Sequence, residues 1–218
     1  MNRFDIKQLT VAVIAAVALL QGCASRYSNI TNIHSAFGST VVCFGDSLTA
    51  GQGAGAGEDW PSLIGPKVAL PVINRGHSGD TTANALARID DVLKDDPLVV
   101  IVEFGANDYL RSLNMGVGAI YKSHIDAFSN LKQIVIRLQK SGAVVVIAGV
   151  RLNGDYDDGY RKLARETHSV LIPDIMAGIS DNEALLSPDK VHPNAKGYKV
   201  MAENILGTIQ PLLKAIKD

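Results

Sequence analysis

From Thr40 onward the chain alternates two kinds of hydrophobic pattern. Short, continuous apolar runs occupy residues 41–44, 70–74, 98–102, 143–148 and 170–172. Runs this short, β-branched and without alternation are the pattern of parallel strands covered on both faces. Between them, apolar residues recur at helical spacing. Asp59-Trp60-Pro61 opens a helix to about residue 69, with proline in the first turn. Ala83, Leu86, Ile89 and Leu93 mark a second, which Thr81 or Thr82 could cap. Tyr121, Ile125, Phe128, Leu131, Val135 and Leu138 mark one face of a long third helix that Gly142 stops. A fourth spans Tyr156 to Thr167. The last opens near Asn194, carries Met201, Ile205, Ile209, Leu212 and Ile216, and is expected to kink at Pro211. Five strands separated by helices predict a five-stranded parallel sheet in a three-layer α/β/α sandwich. A flavodoxin-like order, 2-1-3-4-5, would put the end of the first strand at the switch point of the sheet, where such folds bind ligands.

The first 39 residues break this rhythm. Arg3 and Lys7 precede an apolar run over residues 9–20, which closes in Leu20-Gln21-Gly22-Cys23. A basic start, a short apolar stretch and a small residue before a cut describe an export signal. The run is short for a membrane-spanning helix. Its ending resembles the bacterial lipobox, which implies residues 1–22 as a lipoprotein signal peptide and Cys23 as the lipidated first residue of the mature protein. The plainer alternative is an ordinary secretory signal with an incidental cysteine. Ala24 stands where an aspartate often retains lipoproteins in the inner membrane, so the expected location is the bacterial cell envelope, lipid-anchored on the outer membrane and facing the periplasm. Residues 23–39, small and polar, read as a tether, and residues 40–218 as the domain. Cys43, inside a strand, reads as a small buried apolar residue.

Composition narrows the function classes. With 47% hydrophobic and 20% charged residues, the chain has ample material for one core. A net charge of -1 gives no footing for nucleic-acid binding. His34, His77, His124, His168 and His192 show no metal-ligand spacing, and the cysteines form no CxxC pair, so no metal is expected. The stretch Gly51-Gln52-Gly53-Ala54-Gly55-Ala56-Gly57 lacks the Lys-Ser/Thr ending of a phosphate-binding loop and reads as a flexible rim of a cleft. No cofactor is expected, and a monomer is.

The candidate chemistry lies at strand ends. Ser47 follows Gly45-Asp46 directly after the first strand, where it could be a nucleophile if given a base and oxyanion donors. Asp189 stands three residues before His192 in a turn bounded by Pro188 and Pro193; its carboxylate could fix one imidazole nitrogen and leave the other free as a base. A capped helix start with an exposed histidine would leave the same trace. Asn107, after Gly105-Ala106, could donate its amide to an oxyanion or simply cap a turn. Gly79 could offer a bare N–H or merely make a turn.

Gly45-Asp46-Ser47-Leu48, Gly79, Gly105-Ala106-Asn107-Asp108 and Asp189-x-x-His192-Pro193, in that order, resemble the four blocks of the SGNH (GDSL) hydrolases. Ser78-Gly79-Asp80-Thr81, Val102 to Asp108 and Arg151-Leu152 are similar to the thioesterase I/protease I/lysophospholipase branch. The resemblance implies Ser47 as nucleophile, His192 as general base and then acid, and Asp189 as its orienter. It also implies an oxyanion hole from the N–H groups of Ser47 and Gly79 and the amide of Asn107. The implied activity is a serine esterase acting on acyl lipids, thioesters or lysophospholipids through an acyl-enzyme. Tyr109, Leu110 and Leu113, in a loop expected to move, would line the acyl pocket with Leu152 and Tyr156. Two departures stand out: Ala106 replaces a common glycine, and Asn153 replaces the proline usual after Arg-Leu. Two other functions stay open, O-deacetylation of an envelope polysaccharide and non-catalytic binding of a glycan or lipid at the surface.

Overall fold

The computed structural model describes residues 27–217. The signal segment and Cys23 lie outside the described residues. Five parallel strands, β1 (Thr40–Gly45), β2 (Val72–Gly76), β3 (Pro97–Glu103), β4 (Val144–Ala148) and β5 (Val170–Ile172), form one sheet in the order β2-β1-β3-β4-β5. This is the flavodoxin-like order expected above. Both faces are covered, so every residue of β1, β3 and β4 is buried. Alternate side chains feed two cores. Val41, Cys43, Ile101 and Val146 pack with Trp60, Tyr198, Met201 and Ile205 on one side. Val42, Phe44, Val102 and Ile147 pack with Ile89, Leu131, Ile134 and Tyr160 on the other. The free Cys43 is buried, as its place in a central strand requires.

The helices among the described residues are α1 (Ser47–Ala50), α2 (Trp60–Ile64), α3 (Thr82–Ala87), α4 (Ile89–Leu93), α5 (Ala106–Ser112), α6 (Val117–Lys140), α7 (Gly154–Thr167) and α8 (Ala195–Lys217). Several depart from the pattern read in the sequence. α2 stops at Ile64, because Gly65-Pro66 tightens the chain into a 3-10 turn over Gly65–Lys67. β2 begins two residues later than expected, since its register is set by pairing Val41 with Val72 and Gly45 with Gly76. The Ala83–Leu93 helix breaks at Arg88, whose guanidinium turns inward. α8 runs on through Pro211 as one element.

α6 carries the clearest difference. Its lower half buries Ala127, Leu131, Ile134, Val135 and Leu138, but Tyr121 and Ile125 are 69% and 49% exposed. A helix of 24 residues is about 36 Å long, whereas the seven residues of β3 span about 23 Å. α6 ends beside the start of β4, so its first turns overhang the sheet with no strand beneath them.

Residues 27–39, expected as a tether, are part of the domain. Tyr27 and Ile33 are buried in the core. The Thr31 N–H donates to the His168 carbonyl (2.9 Å), and Asn32 Nδ2 donates to the carbonyls of Gln139 (2.7 Å) and Ala143 (2.9 Å). Asn32 takes a positive φ of 67°, a conformation asparagine tolerates better than most residues. Its apolar residues, Tyr27, Ile30, Ile33, Ala36 and Phe37, are spread among small polar ones over too short a stretch to specify an element, which is why the sequence pattern conceals this strap.

Candidate active site

β1 ends at Gly45 and the chain turns at once into α1. The turn is held from inside. The Asp46 carboxylate accepts from the Leu48 N–H (3.1 Å), and Glu103 Oε2, at the end of β3, accepts from the Asp46 N–H (3.3 Å) and the Thr49 hydroxyl (2.9 Å). Glycine is required at position 45, because a Cβ would come within 2.7 Å of that Glu103 oxygen and closer still to Thr49. Burial pushes the Asp46 carboxyl up to about 6, partly offset by the Leu48 N–H. Glu103, fully buried beside it, lies well above its usual range, from burial first and then from the Asp46 charge.

From the far end of the sequence, the turn before α8 meets this serine. Asp189 accepts from the N–H groups of Val191 and His192 (both 2.9 Å) and from the Ser187 hydroxyl (2.8 Å). These donors and the His192 ring, with the His192 N–H foremost, hold its carboxyl well below the usual carboxylate range. His192 Nδ1 lies 2.7 Å from Asp189 Oδ2, and His192 Nε2 lies 2.8 Å from Ser47 Oγ. With Asp189 ionised, Nδ1 is the donor, so Nε2 faces the serine hydroxyl as an acceptor. Ser47 is 145 positions away from His192 in the chain, and the fold brings them into direct contact.

A cleft of about 440 Å³ opens over this contact. Ser47, Gly79, Asn107, Leu110, Leu152 and His192 are among its walls. Asn107 Nδ2 donates to Asp46 Oδ2 and to the Asp80 carbonyl, both at 3.0 Å, so its amide is fixed against the serine turn. Gly79 sits at a positive φ of 82° with open space where a Cβ would project.

Of the five residues expected to line an acyl pocket, two border this cleft. Leu110 and Leu152 line the cleft, but Tyr109, Leu113 and Tyr156 do not. Tyr156 is buried, with Tyr109 and His124 edge-on at ring centroid distances of 5.3 and 5.2 Å. It borders a separate depression of about 600 Å³ with Val117, Tyr121 and His124. Leu113 starts the 3-10 turn after α5 and is 43% exposed. Residues 109–112 are helical, because Gly105 with φ 123° lets the chain enter α5 directly after β3. Asn153, where the proline was expected, caps α7 by accepting from the Tyr156 N–H (3.0 Å).

The Gly-rich stretch after α1 borders the cleft through Gln52, and its first part is fastened. A Cβ on Gly53 would come within 2.5 Å of the Pro193 carbonyl oxygen, and Tyr198 donates to the Gln52 carbonyl (2.8 Å). The loop thus backs the turn that carries His192. Two supporting residues, Arg88 and Arg111, carry no motif signal, and Asp108 lies in a motif block that gave it no role. Arg88 donates to Asp80 (2.7 Å) and to the carbonyls of Arg75 (2.9 Å) and Gly45 (3.1 Å), with its guanidinium 4.6 Å above the Phe44 ring. Arg111 donates to the Gly79 carbonyl (2.7 Å), and Asp108 accepts from the Thr82 N–H and hydroxyl. Arg88 and Arg111 fix the loop that presents Gly79; a lone arginine or a carboxylate on a helix gives no sign of this in sequence. Among the described residues, no three His, Cys, Asp or Glu side chains are grouped to hold a metal ion.

Residues 43–200 match the model of the GDSL-like lipase/acylhydrolase family. The chain belongs to that family. It is 26% identical to the esterase TesA of Pseudomonas aeruginosa over 89% of this chain and 98% of that protein. It is 29% identical to the thioesterase 1/protease 1/lysophospholipase L1 of Escherichia coli over 84% of this chain and 89% of that one. Among solved structures, AlinE4, an SGNH-hydrolase family esterase, is 32% identical and superposes with a TM-score of 0.62 over 82% of this chain and 96% of its own. This chain is a carboxylic ester hydrolase of the GDSL type.

Proposed function

We propose that the chain is a lipid-anchored serine esterase that cleaves acyl esters, with lysophospholipids and thioesters in its range, through a covalent acyl-enzyme. The observation that carries the mechanism is the continuous line Ser47 Oγ, His192 Nε2, His192 Nδ1, Asp189 Oδ2, at 2.8 and 2.7 Å. Ser47 Oγ attacks the ester carbonyl while Nε2 takes its proton, and Asp189 stabilises the imidazolium. The imidazolium then protonates the leaving alcohol or thiol. Water, deprotonated by the same nitrogen, releases the acid and restores Ser47. The developing oxyanion is held by the N–H groups of Ser47 and Gly79 with the Asn107 amide. That amide already donates to the Asp80 carbonyl, so a negatively charged oxygen, the stronger acceptor, can share or displace this bond.

The names of the relatives support acyl esters and thioesters as substrates, and Leu110 and Leu152 give the cleft an apolar wall for an acyl chain. The lipobox-like Leu20-Gln21-Gly22-Cys23 supports the anchor and an outer-membrane site. Treatment of the protein with a serine-directed organophosphorus reagent tests the mechanism. Label is expected on Ser47 with loss of ester hydrolysis, and Ser47→Ala should neither label nor turn over while unfolding like the native chain. Label on another residue, or normal hydrolysis by Ser47→Ala, would refute it.

A further inference from the structure

The strap formed by residues 27–39 crosses one end of the sheet, and that end is opposite to the cleft. Thr31 bonds to His168 just ahead of β5. Asn32 bonds to Gln139 and Ala143 just ahead of β4. The N–H groups of Ser39 and Thr40 donate to the Asp96 carbonyl just ahead of β3, and the chain then enters β1. All of these contacts lie at the amino ends of the parallel strands. Ser47, Gly79 and Asn107 follow the carboxyl ends of β1, β2 and β3. The two faces are separated by the length of a strand, about 23 Å for the seven residues of β3.

Cys23 stands four residues before Tyr27. Fully extended, that stretch reaches at most about 14 Å. Tyr27 is buried, so the chain is already fixed to the domain there. We propose that the amino-end face of the sheet sits toward the anchoring bilayer, and that the cleft therefore opens away from it and takes acyl esters arriving from the aqueous side, not the lipids of its own bilayer. To present the cleft to that bilayer the domain would have to invert. Inversion lifts Tyr27 by about the 23 Å strand length, which a reach of about 14 Å does not span. Leu110, on the cleft wall and 47% exposed, then faces water, where it can receive an amphiphile's acyl chain. The inference rests on the proposed esterase and on the anchor at Cys23.

The test uses the lipidated full chain, purified from membranes and reconstituted into phosphatidylethanolamine/phosphatidylglycerol vesicles. A fluorogenic acyl ester held by two long chains is placed either in the same vesicles or in separate ones, and p-nitrophenyl butyrate is assayed in parallel. A second protein carries 30 Gly/Ser residues inserted between Ser25 and Arg26, enough for a mean reach of about 30 Å. The native chain should gain nothing from sharing a bilayer with the ester. The long linker should raise hydrolysis of the shared-bilayer ester about tenfold or more, through the raised effective concentration, with the butyrate rate unchanged. Equal rates of the two proteins on the shared-bilayer ester, whether both fast or both slow, would overturn the proposal. Mass spectrometry without lipid on Cys23 would remove the anchor and the proposal with it. Failure on the butyrate ester would instead strike the esterase reading.

Discussion

At the scale of single residues, the site shifts its carboxyl groups in opposite directions. Asp189 is held charged by three protein donors and the imidazole. Asp46 and Glu103, buried back to back, are pushed the other way. A carboxyl whose folded value is raised keeps protons that the unfolded chain has released, so its contribution to stability is full below the unfolded value and is lost as pH rises through the folded one. For Asp46 that window runs from 3.8 to about 6. Glu103→Gln removes one of the two charges and is expected to flatten the loss: melting temperatures measured from pH 4 to 7 should fall less for the variant than for the native chain. A parallel decline in both would mean that the pair does not set this dependence. A second residue prediction concerns the substrate. Leu152 is on the cleft wall and outside the hydrogen-bonded line, so Leu152→Ala should cost long-chain p-nitrophenyl esters on the order of tenfold in kcat/KM and acetyl ester little, in keeping with about 1–3 kcal/mol for apolar contact in a pocket. Equal losses along the ester series would show a general support of the fold.

At the scale of elements, the reacting groups sit on short, stiff turns, and each turn is backed by another. The serine turn rests on Glu103 and Thr49, and the Gly79 loop on Arg88 and Arg111. The histidine turn rests on the Gly-rich stretch, with Gly53 at φ 97° against the Pro193 carbonyl. Gly53→Ala therefore adds both backbone strain and a clash directly behind His192. It should lower kcat about tenfold or more while KM changes little, because a displacement of the base by a fraction of an ångström acts on the transition state. Steady-state kinetics with a short ester checks this; an unchanged kcat would return the stretch to the status of a loose rim.

At the scale of the whole molecule, the strap of residues 27–39 closes the amino ends of the strands and ties α6, α7 and β1 together. Asn32 is its central fastening, since one amide satisfies two carbonyls. Asn32→Ala leaves both without that donor and should cost about 1–3 kcal/mol, read as a lower urea midpoint with an unchanged slope. Ester hydrolysis below the transition should persist, because the strap lies at the opposite end from Ser47. A loss of activity in the still-folded variant would contradict the separation of the two faces.

The sequence alone determined the elements whose physics is local or repetitive. The fully apolar runs specify strands buried on both faces, and alternation of strand and helix specifies a parallel sheet. Gly45, Ser47, Gly79, Asn107, Asp189 and His192 stand at the ends of those elements, where such a sheet gathers them. What depends on distance through space was left to the tertiary structure. The family resemblance implied Tyr156 in a pocket, and helical spacing put Ile125 on a buried face. Yet the first falls into an aromatic stack, and the second overhangs a sheet shorter than its helix. Arg88 and Glu103 look like ordinary charges until the chain folds them beneath the serine turn. The apolar spacing of residues 27–39 did not separate a tether from a strap, because the hydrogen bonds of Thr31 and Asn32 that fasten it reach partners more than a hundred positions away.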